Sequence, residues 1–443
     1  MRRPAFVLPL LTALVLALPG GPAPAAEPAP VAPVSRGACA GSHWVGAWAA
    51  SPSDAGFTEE IGPARPLANQ TLRMVVRPTL SGDKARIRLS HGYGDAPVDI
   101  ASATFARRVS GPAAVAGTVR PLTFDGVPSV VLQPGEDVTS DPVRFPVRRG
   151  EDLLVSLHLP ALVSRPTGHF VTTTTNYLSL PGTGDHSAAT DGSAYPLTTK
   201  VVFSMGWWFL AGVDVRAPRR TGAVAAFGDS ITDGFQGSPA PGMPVEGEAG
   251  LDANVRYPDF LARRLARADR DLGVLNTGIS GNRVLADASA PFPYGRSGLS
   301  RFRADVLDQP GVRDVIILEG INDLGNDEAL PARAVIDGLR KLVRRAERAG
   351  LRAHLGTLLP TGGAARTHGS EATQQRRATI NRWIRSQRLA QGVIDFDKAV
   401  RDPADPSRLL PAYDSGDALH PSTAGYRAMA RAIPLKVLGR GGC

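Results

Sequence analysis

The chain has 443 residues and carries 50 Lys and Arg against 41 Asp and Glu, a formal net charge of +9 with a pI near 10.0. Hydrophobic residues make up 43% and charged residues 21%, and the 48 glycines and 38 prolines follow no period. This excludes collagen-like and disordered classes and leaves a globular chain long enough for two or three domains. The basic stretches "RRLARADR", "RRAERAG" and "QQRRATINRWIRSQR" have no aromatic interleaving and no nucleic-acid motif, so they read as solvated helix faces and no nucleic-acid partner is expected.

Residues 1–25 carry Arg2 and Arg3, an apolar run from Ala5 to Leu18, then Ala23-Pro24-Ala25. That order predicts a secretory signal peptide, hence a secreted protein, and the run is too short to span a bilayer, so no stable membrane insertion is expected. A Pro/Ala linker follows over 26–36. Cys39 and Cys443, the two cysteines, are expected to pair as a disulfide in an exported chain; the alternative is two free terminal thiols.

Residues 37–216 predict an accessory β-module, a sandwich or jelly roll. "TLRMVVRP", "KARIRLSHGYG" and "EDLLVSLHLP" alternate or run apolar in short pieces between Gly, Pro, Asp and Ser clusters. Leu72, Met74 and Val76 should share one face. The tryptophans of the module, Trp44, Trp48, Trp207 and Trp208, suit either a core or a sugar-stacking surface, and a core role is the commoner one.

At "VDVRAPRRTGAV" the pattern changes, and residues 217–443 predict alternating strands and helices. Strands are expected near Ala223–Phe227, Gly273–Leu275, Val315–Leu318, Ala353–Leu358 and Val393–Phe396. Between them, Tyr257, Leu261 and Leu265 fall on one helical face, as do Val335, Leu339, Leu342 and Ala346. This is an α/β three-layer arrangement around a parallel sheet, in which ligands bind at the carboxyl ends of the strands. Polar, Gly-rich turns follow the first three strands: "GDS" at Gly228 to Ser230, "NTGISGNR" at Asn276 to Arg283 and "EGIND" at Glu319 to Asp323. "DSGDALHPS", Asp414 to Ser422, precedes the last helix.

A serine hydroxyl becomes a nucleophile only when a base takes its proton and a third group orients that base. Ser230 has His420 as its candidate base and Asp417, three residues earlier, as the orienting acid. The plain alternatives are that Ser230 caps a helix and that His420 caps the last one. Backbone N–H groups of Ser230 and Gly281, with the Asn322 amide, could stabilise an oxyanion; alone, Gly281 reads as a turn glycine and Asn322 as an Asx turn. Ser280 lies in an imperfect Gly-x-Ser-x-Gly, Asp414 is the weaker triad acid, Asp229 and Asp323 suit turn stabilisation, and Asp185-His186 reads as a loop pair. No His-Glu-x-x-His, paired-cysteine or Gly-Lys-Ser motif occurs, so no metal and no cofactor are expected.

Together, Gly228-Asp229-Ser230, Gly281 in "SGN", Asn322 in "GIND" and the Asp417/His420 pair resemble the SGNH/GDSL hydrolase superfamily, with Ile231 in place of the usual Leu. The resemblance covers about Gly222 to Leu438. It implies a flavodoxin-like α/β/α sandwich and metal-independent ester hydrolysis through an acyl-serine, with an oxyanion hole from Ser230, Gly281 and Asn322. "HWVGAWAASP" and "TLRMVVRP" also look like secreted actinobacterial members with a β-rich module ahead of the catalytic domain. The Gly/Pro-rich stretch from Gln236 to Arg256 should wall the cleft, and Asn254, Arg256 and Arg283 are candidate contacts to a polar or anionic substrate; Arg256 could instead snorkel from a helix face. The expected reaction is hydrolysis of short acyl esters, acetyl above all, with carbohydrate or polysaccharide as the partner. The alternatives are a secreted lipase or arylesterase, and a glycan-binding protein with an inert hydrolase domain. Oligomeric state is left open.

Overall fold

The computed structural model describes residues 41–54, 67–199, 205–237, 250–288 and 294–439. The expected signal peptide, the linker and both cysteines lie outside the described residues. So does most of the Gly/Pro-rich stretch from Gln236 to Arg256.

The first half of the described chain is antiparallel. One sheet orders β1 (Ser42–Ala49), β7 (Leu210–Pro218), β3 (Gly82–Ser90) and β5 (Val143–Val147) side by side. The other has β2 (Leu67–Val76), β6 (Leu153–Val163) and β4 (Ser102–Arg107) at its centre, with Arg120–Pro121 beyond β4 and Tyr177–Leu178 beyond β2. Leu72, Met74 and Val76 share a buried face as expected, but Arg73 and Val75 on the opposite face are buried too. The chain from 177 to 199 covers that face: Val75 packs in a cluster with Leu154, Tyr177 and Tyr195, and the Arg73 guanidinium lies 4.1 Å from the Tyr195 ring. Trp48 and Trp207 meet edge to face at 5.1 Å and are buried with Trp208, the core role; Trp44 instead lies under the guanidinium of Arg86.

Only Arg219 to Thr221 separate β7 from β8 (Gly222–Gly228), where the second half begins. Its sheet is parallel, with β9 (Leu272–Gly278), β8, β10 (Val312–Leu318), β11 (Arg352–Gly356) and β12 (Gly392–Ile394) in that spatial order. Every residue of β8 and β9 is buried, which is why β8 and the first four residues of β9 read as unbroken small and apolar runs instead of alternating ones. The helices are α1 (Ser230–Asp233), α2 (Tyr257–Arg267), α3 (Gly298–Phe302), α4 (Ile321–Asn326), α5 (Ala332–Arg348), α6 (Glu371–Ser386), α7 (Phe396–Val400) and α8 (Thr423–Ala432). Along α5, Val335, Ile336, Leu339, Leu342, Val343 and Ala346 form the buried stripe that its 3.6-residue spacing predicts.

This strand order reverses direction between β8 and β10. In a doubly wound sheet the first and third strands then lead their loops apart and leave a crevice at their carboxyl ends. The β-module closes the neighbouring edge. Thr79 of the module donates its hydroxyl to Val274 O of the edge strand β9 (3.0 Å) and accepts Val274 N–H (2.9 Å), so part of that open edge is satisfied from within the chain. Gly46 N–H bonds Pro310 O at 2.8 Å, and one apolar core runs continuously through both halves.

Candidate active site

At the end of β8 the backbone turns abruptly into α1. Asp229 takes the N-cap position, and its carboxylate accepts Ile231 N–H at 3.0 Å. The cap is therefore Asp229, which leaves the Ser230 hydroxyl free to face elsewhere. It lies 2.8 Å from His420 Nε2. His420 is not a cap either, because Ser422 accepts Gly425 N–H at the start of α8. Its Nδ1 lies 2.6 Å from Asp417 Oδ2, while Asp417 Oδ1 accepts the N–H groups of Leu419 (3.0 Å) and His420 (2.8 Å). Ala418, at φ +59°, lets the acid fold back beneath the ring.

Because Asp417 needs a donor at Oδ2, His420 carries its proton on Nδ1 and presents a lone pair on Nε2 to the serine. Burial works against the Asp417 charge, but His420 and the two backbone donors outweigh it and hold the acid below its ordinary value. Asp414 has no such partner: its Oδ1 accepts Gly416 and Ala418 N–H, so it builds the turn. Ser280 donates its hydroxyl to Asp233 Oδ2 at 2.8 Å. Asp185 accepts from Ser102 and Ser187 in the β-module.

Gly281 sits at φ +78°, and a Cβ there would come 2.4 Å from the Tyr294 ring, so both the turn and the close approach require glycine. Asn322, in the first turn of α4, donates Nδ2 to Asn282 O (3.0 Å), which leaves its second amide hydrogen for another acceptor. Its Oδ1 lies 3.2 Å from His368 Nε2. Since Oδ1 can only accept, His368 donates. Burial, reinforced by His420 and Arg366, pushes His368 down to about 4, so it is neutral across the physiological range. Phe235 closes the other flank of the site, edge to face on His420 at 4.6 Å.

The floor beneath these groups is acidic and buried. Burial raises Asp229 to about 7 and Asp323 to about 6, and raises Glu319 well above its usual range. Asp323 serves as a turn acceptor for Val284 and Leu285 N–H. Glu319 Oε1 is buried with no hydrogen-bond partner among the described residues. A single guanidinium ties the floor together: Arg301 donates to Gly228 O, Thr277 O, Asn282 Oδ1, Asp305 and Glu319.

The three expected substrate contacts are placed differently. Arg256 is 9% exposed, caps α2 and forms a two-pronged pair with Asp259 at 2.8 and 3.0 Å. Asn254 bonds Asp252 O and borders a depression shared with Arg77 and Arg263 of the module-facing surface. Arg283 is half-buried near the Ser280–Gly281 turn and donates to Asp287 O. Arg301, His368 and Asp233 stand close to Ser230 and its neighbours without having been singled out. Arg301 and His368 sit alone in their stretches of sequence, and Asp233, three residues after Ser230, finds its partners His169 and Ser280 far along the chain.

Residues 226–428 match the GDSL-like Lipase/Acylhydrolase family. Similar solved structures include the M. smegmatis aryl esterase, 18% identical over 49% of this chain and 98% of its own, with a TM-score of 0.40. A carbohydrate acetylesterase from Sinorhizobium meliloti is 16% identical over 49% of this chain and 98% of its own, with a TM-score of 0.39. A GDSL-like lipase from Bacteroides thetaiotaomicron is 20% identical over 50% of this chain and 89% of its own, with a TM-score of 0.34. No curated protein matches the chain. The α/β half of this chain, centred on residues 226–428, belongs to the SGNH/GDSL hydrolase superfamily and is an ester hydrolase.

Proposed function

We propose that the protein is a secreted esterase that removes short acyl groups, acetyl above all, from carbohydrate. The observation that carries the reading is the unbroken relay from Ser230 Oγ to His420 Nε2 (2.8 Å) and from His420 Nδ1 to Asp417 Oδ2 (2.6 Å) at the switch point of the sheet. In this reading Ser230 Oγ gives its proton to Nε2 as it bonds the acyl carbon. The carbonyl oxygen becomes an oxyanion held by the N–H groups of Ser230 and Gly281 and by Asn322 Nδ2. Collapse expels the alcohol, which takes the proton from His420, and water repeats the sequence to free the acid.

The buried, largely polar surround of Ser230 supports a small acyl group. Ser230, Asn322 and His420 are only 7–8% exposed, and among the described residues Gly281, His368, the Phe235 ring and, over Gly281, the Tyr294 ring lie beside them. The signal-like N-terminus supports secretion, and the polar side chains around the turns support an alcohol rich in hydroxyls. The test compares wild type with Ser230→Ala across p-nitrophenyl esters from acetate to palmitate, then on acetylated polysaccharide. Turnover should be highest on acetate and vanish in the variant. A maximum on long chains would overturn the acyl assignment, and activity surviving in folded Ser230→Ala would overturn the nucleophile.

A further inference from the structure

The strand Thr167–Phe170 belongs to the β-module, yet it reaches the catalytic half at two points. Its His169 is fully enclosed. Nδ1 lies 2.8 Å from Ser51 O and Nε2 lies 3.0 Å from Asp233 Oδ1. A carbonyl and a carboxylate can only accept here, so both ring nitrogens carry hydrogen and the ring is an imidazolium paired with Asp233. The other Asp233 oxygen accepts Ser280 N–H (3.1 Å) and the Ser280 hydroxyl (2.8 Å). Asp233 ends α1, the turn that begins at Ser230, and Ser280 immediately precedes Gly281.

The next residue of the strand holds the same turn from its other side. Phe170 lies 6.2 Å from Tyr294, the ring that fills the space over Gly281. Thr167 accepts Tyr93 N–H at 3.0 Å, and the Tyr93 hydroxyl accepts Arg296 N–H at 2.9 Å, which ties down the segment carrying Tyr294. Directly after the strand, Val171 sits at φ +66°, a conformation a β-branched residue adopts only where its surroundings impose it.

We propose that His169 is a positioning residue for ester hydrolysis: it fixes Asp233, and through Asp233 the Ser280–Gly281 turn whose N–H meets the oxyanion, so that the β-module completes the active site. The inference rests on the reading of Gly281 as an oxyanion donor. Burial opposes the charge on His169, but Asp233 and Ser51 outweigh it and raise the ring above its ordinary value; the charges facing it are Asp233 and, opposing, Arg256 from the start of α2. Trp207 packs against it at 5.4 Å.

The experiment uses the full chain with His169→Gln, which can keep a donor toward Asp233, His169→Phe, which cannot, Ser280→Ala, and the His169→Gln/Ser280→Ala double variant. On p-nitrophenyl acetate, kcat should fall on the order of 10-fold in His169→Gln and 100-fold or more in His169→Phe, with KM nearly unchanged, because a displaced oxyanion donor is missed in the transition state. The double variant should lose less than the product of the two single losses. A folded His169→Phe within about twofold of wild-type kcat, a loss confined to KM, or strictly multiplicative losses would overturn the proposal. If His169→Phe fails to fold, Ser280→Ala and the double variant decide.

A second reading needs no turnover. A raised imidazole contributes stability that is complete below its unfolded value, about 6.5, and is lost as pH rises through the folded value. Wild type should therefore lose melting temperature relative to His169→Gln between pH 6.5 and 9, and parallel curves would overturn the imidazolium. Activity in wild type that survives Ser230→Ala would instead count against the hydrolase mechanism, so the two failures are distinct.

Discussion

Replacing Asp417 by Asn tests the relay through one proton. Asp417 Oδ1 accepts two backbone N–H groups, at 2.8 and 3.0 Å, so the new amide must turn its oxygen to them. Turned the other way, its NH2 would leave two donors unpaired, at a cost of about 1–3 kcal/mol each. In the required orientation the NH2 faces His420 Nδ1, which must then give up its hydrogen. The proton moves to Nε2 and points at Ser230 Oγ, and the base is lost while every heavy atom stays in place. The expected loss in kcat is on the order of 10⁴, or about 5 kcal/mol of barrier, with KM little changed. The control is Asp414→Asn, whose parent carboxylate bonds only backbone N–H groups and should cost no more than about fivefold. Initial rates on p-nitrophenyl acetate at pH 8, with circular dichroism to establish folding, decide the matter. Asp417→Asn retaining a tenth of wild-type kcat, or Asp414→Asn failing as badly, would refute the argument.

Two further outcomes follow from groups beside the triad. His368→Phe removes the donor to Asn322 Oδ1 and should lower kcat by roughly 10-fold; because burial holds His368 down to about 4, its neutral form supports the fold above pH 6.5 and that support fades as pH falls, so the variant should show a flatter acid limb in thermal melts. An unchanged limb would remove His368 from the site. Asp229→Asn keeps an acceptor for Ile231 N–H but cannot ionise. Wild-type Asp229 is raised to about 7, so its folded state holds a proton the unfolded chain has already released, and wild-type stability declines from pH 4 upward through 7. The variant should gain on wild type between pH 4 and 7, and a constant difference in melting temperature would count against a protonated Asp229.

The sheet and the grouping of Ser230, His420 and Asp417 were legible because each rests on local pattern. Fully buried parallel strands must be apolar along their length, and α5 must repeat every 3.6 residues; both are visible without a fold. The motifs Gly228-Asp229-Ser230 and Asp417-x-x-His420 are short enough to preassemble. What the sequence concealed are side chains whose partners are distant: His169 and Asp233 are separated by 64 positions and Arg301 and Gly228 by 73. The face of β2 that should have met solvent is covered because Tyr177 and Tyr195, a hundred residues on, return over it. Arg256 had a local clue. Asp259 lies three residues later on the same helix, the spacing at which an arginine finds its own acid before any substrate.

The floor of the site explains why a fold would keep three carboxyl groups where their charges are so poorly solvated. An ionised Asp229 next to the nucleophile would steady an imidazolium on His420, but its field would also oppose an oxyanion forming one residue away. Burial eases the conflict: it raises Asp229 to about 7, Asp323 to about 6 and Glu319 well above its usual range, so the floor carries less charge at neutral pH than three ordinary carboxylates would. Arg301, paired with Asp305 and Glu319, also donates to backbone carbonyls of β8 and β9 and to Asn282 Oδ1, fixing the strand ends that carry Ser230 and Gly281. The His169–Asp233 pair does the same for the far side of the turn with one charge of each sign. In the proposed mechanism the N–H groups of Ser230 and Gly281 are thus held by a framework of paired and pKa-raised acids, so a developing negative charge would meet oriented donors.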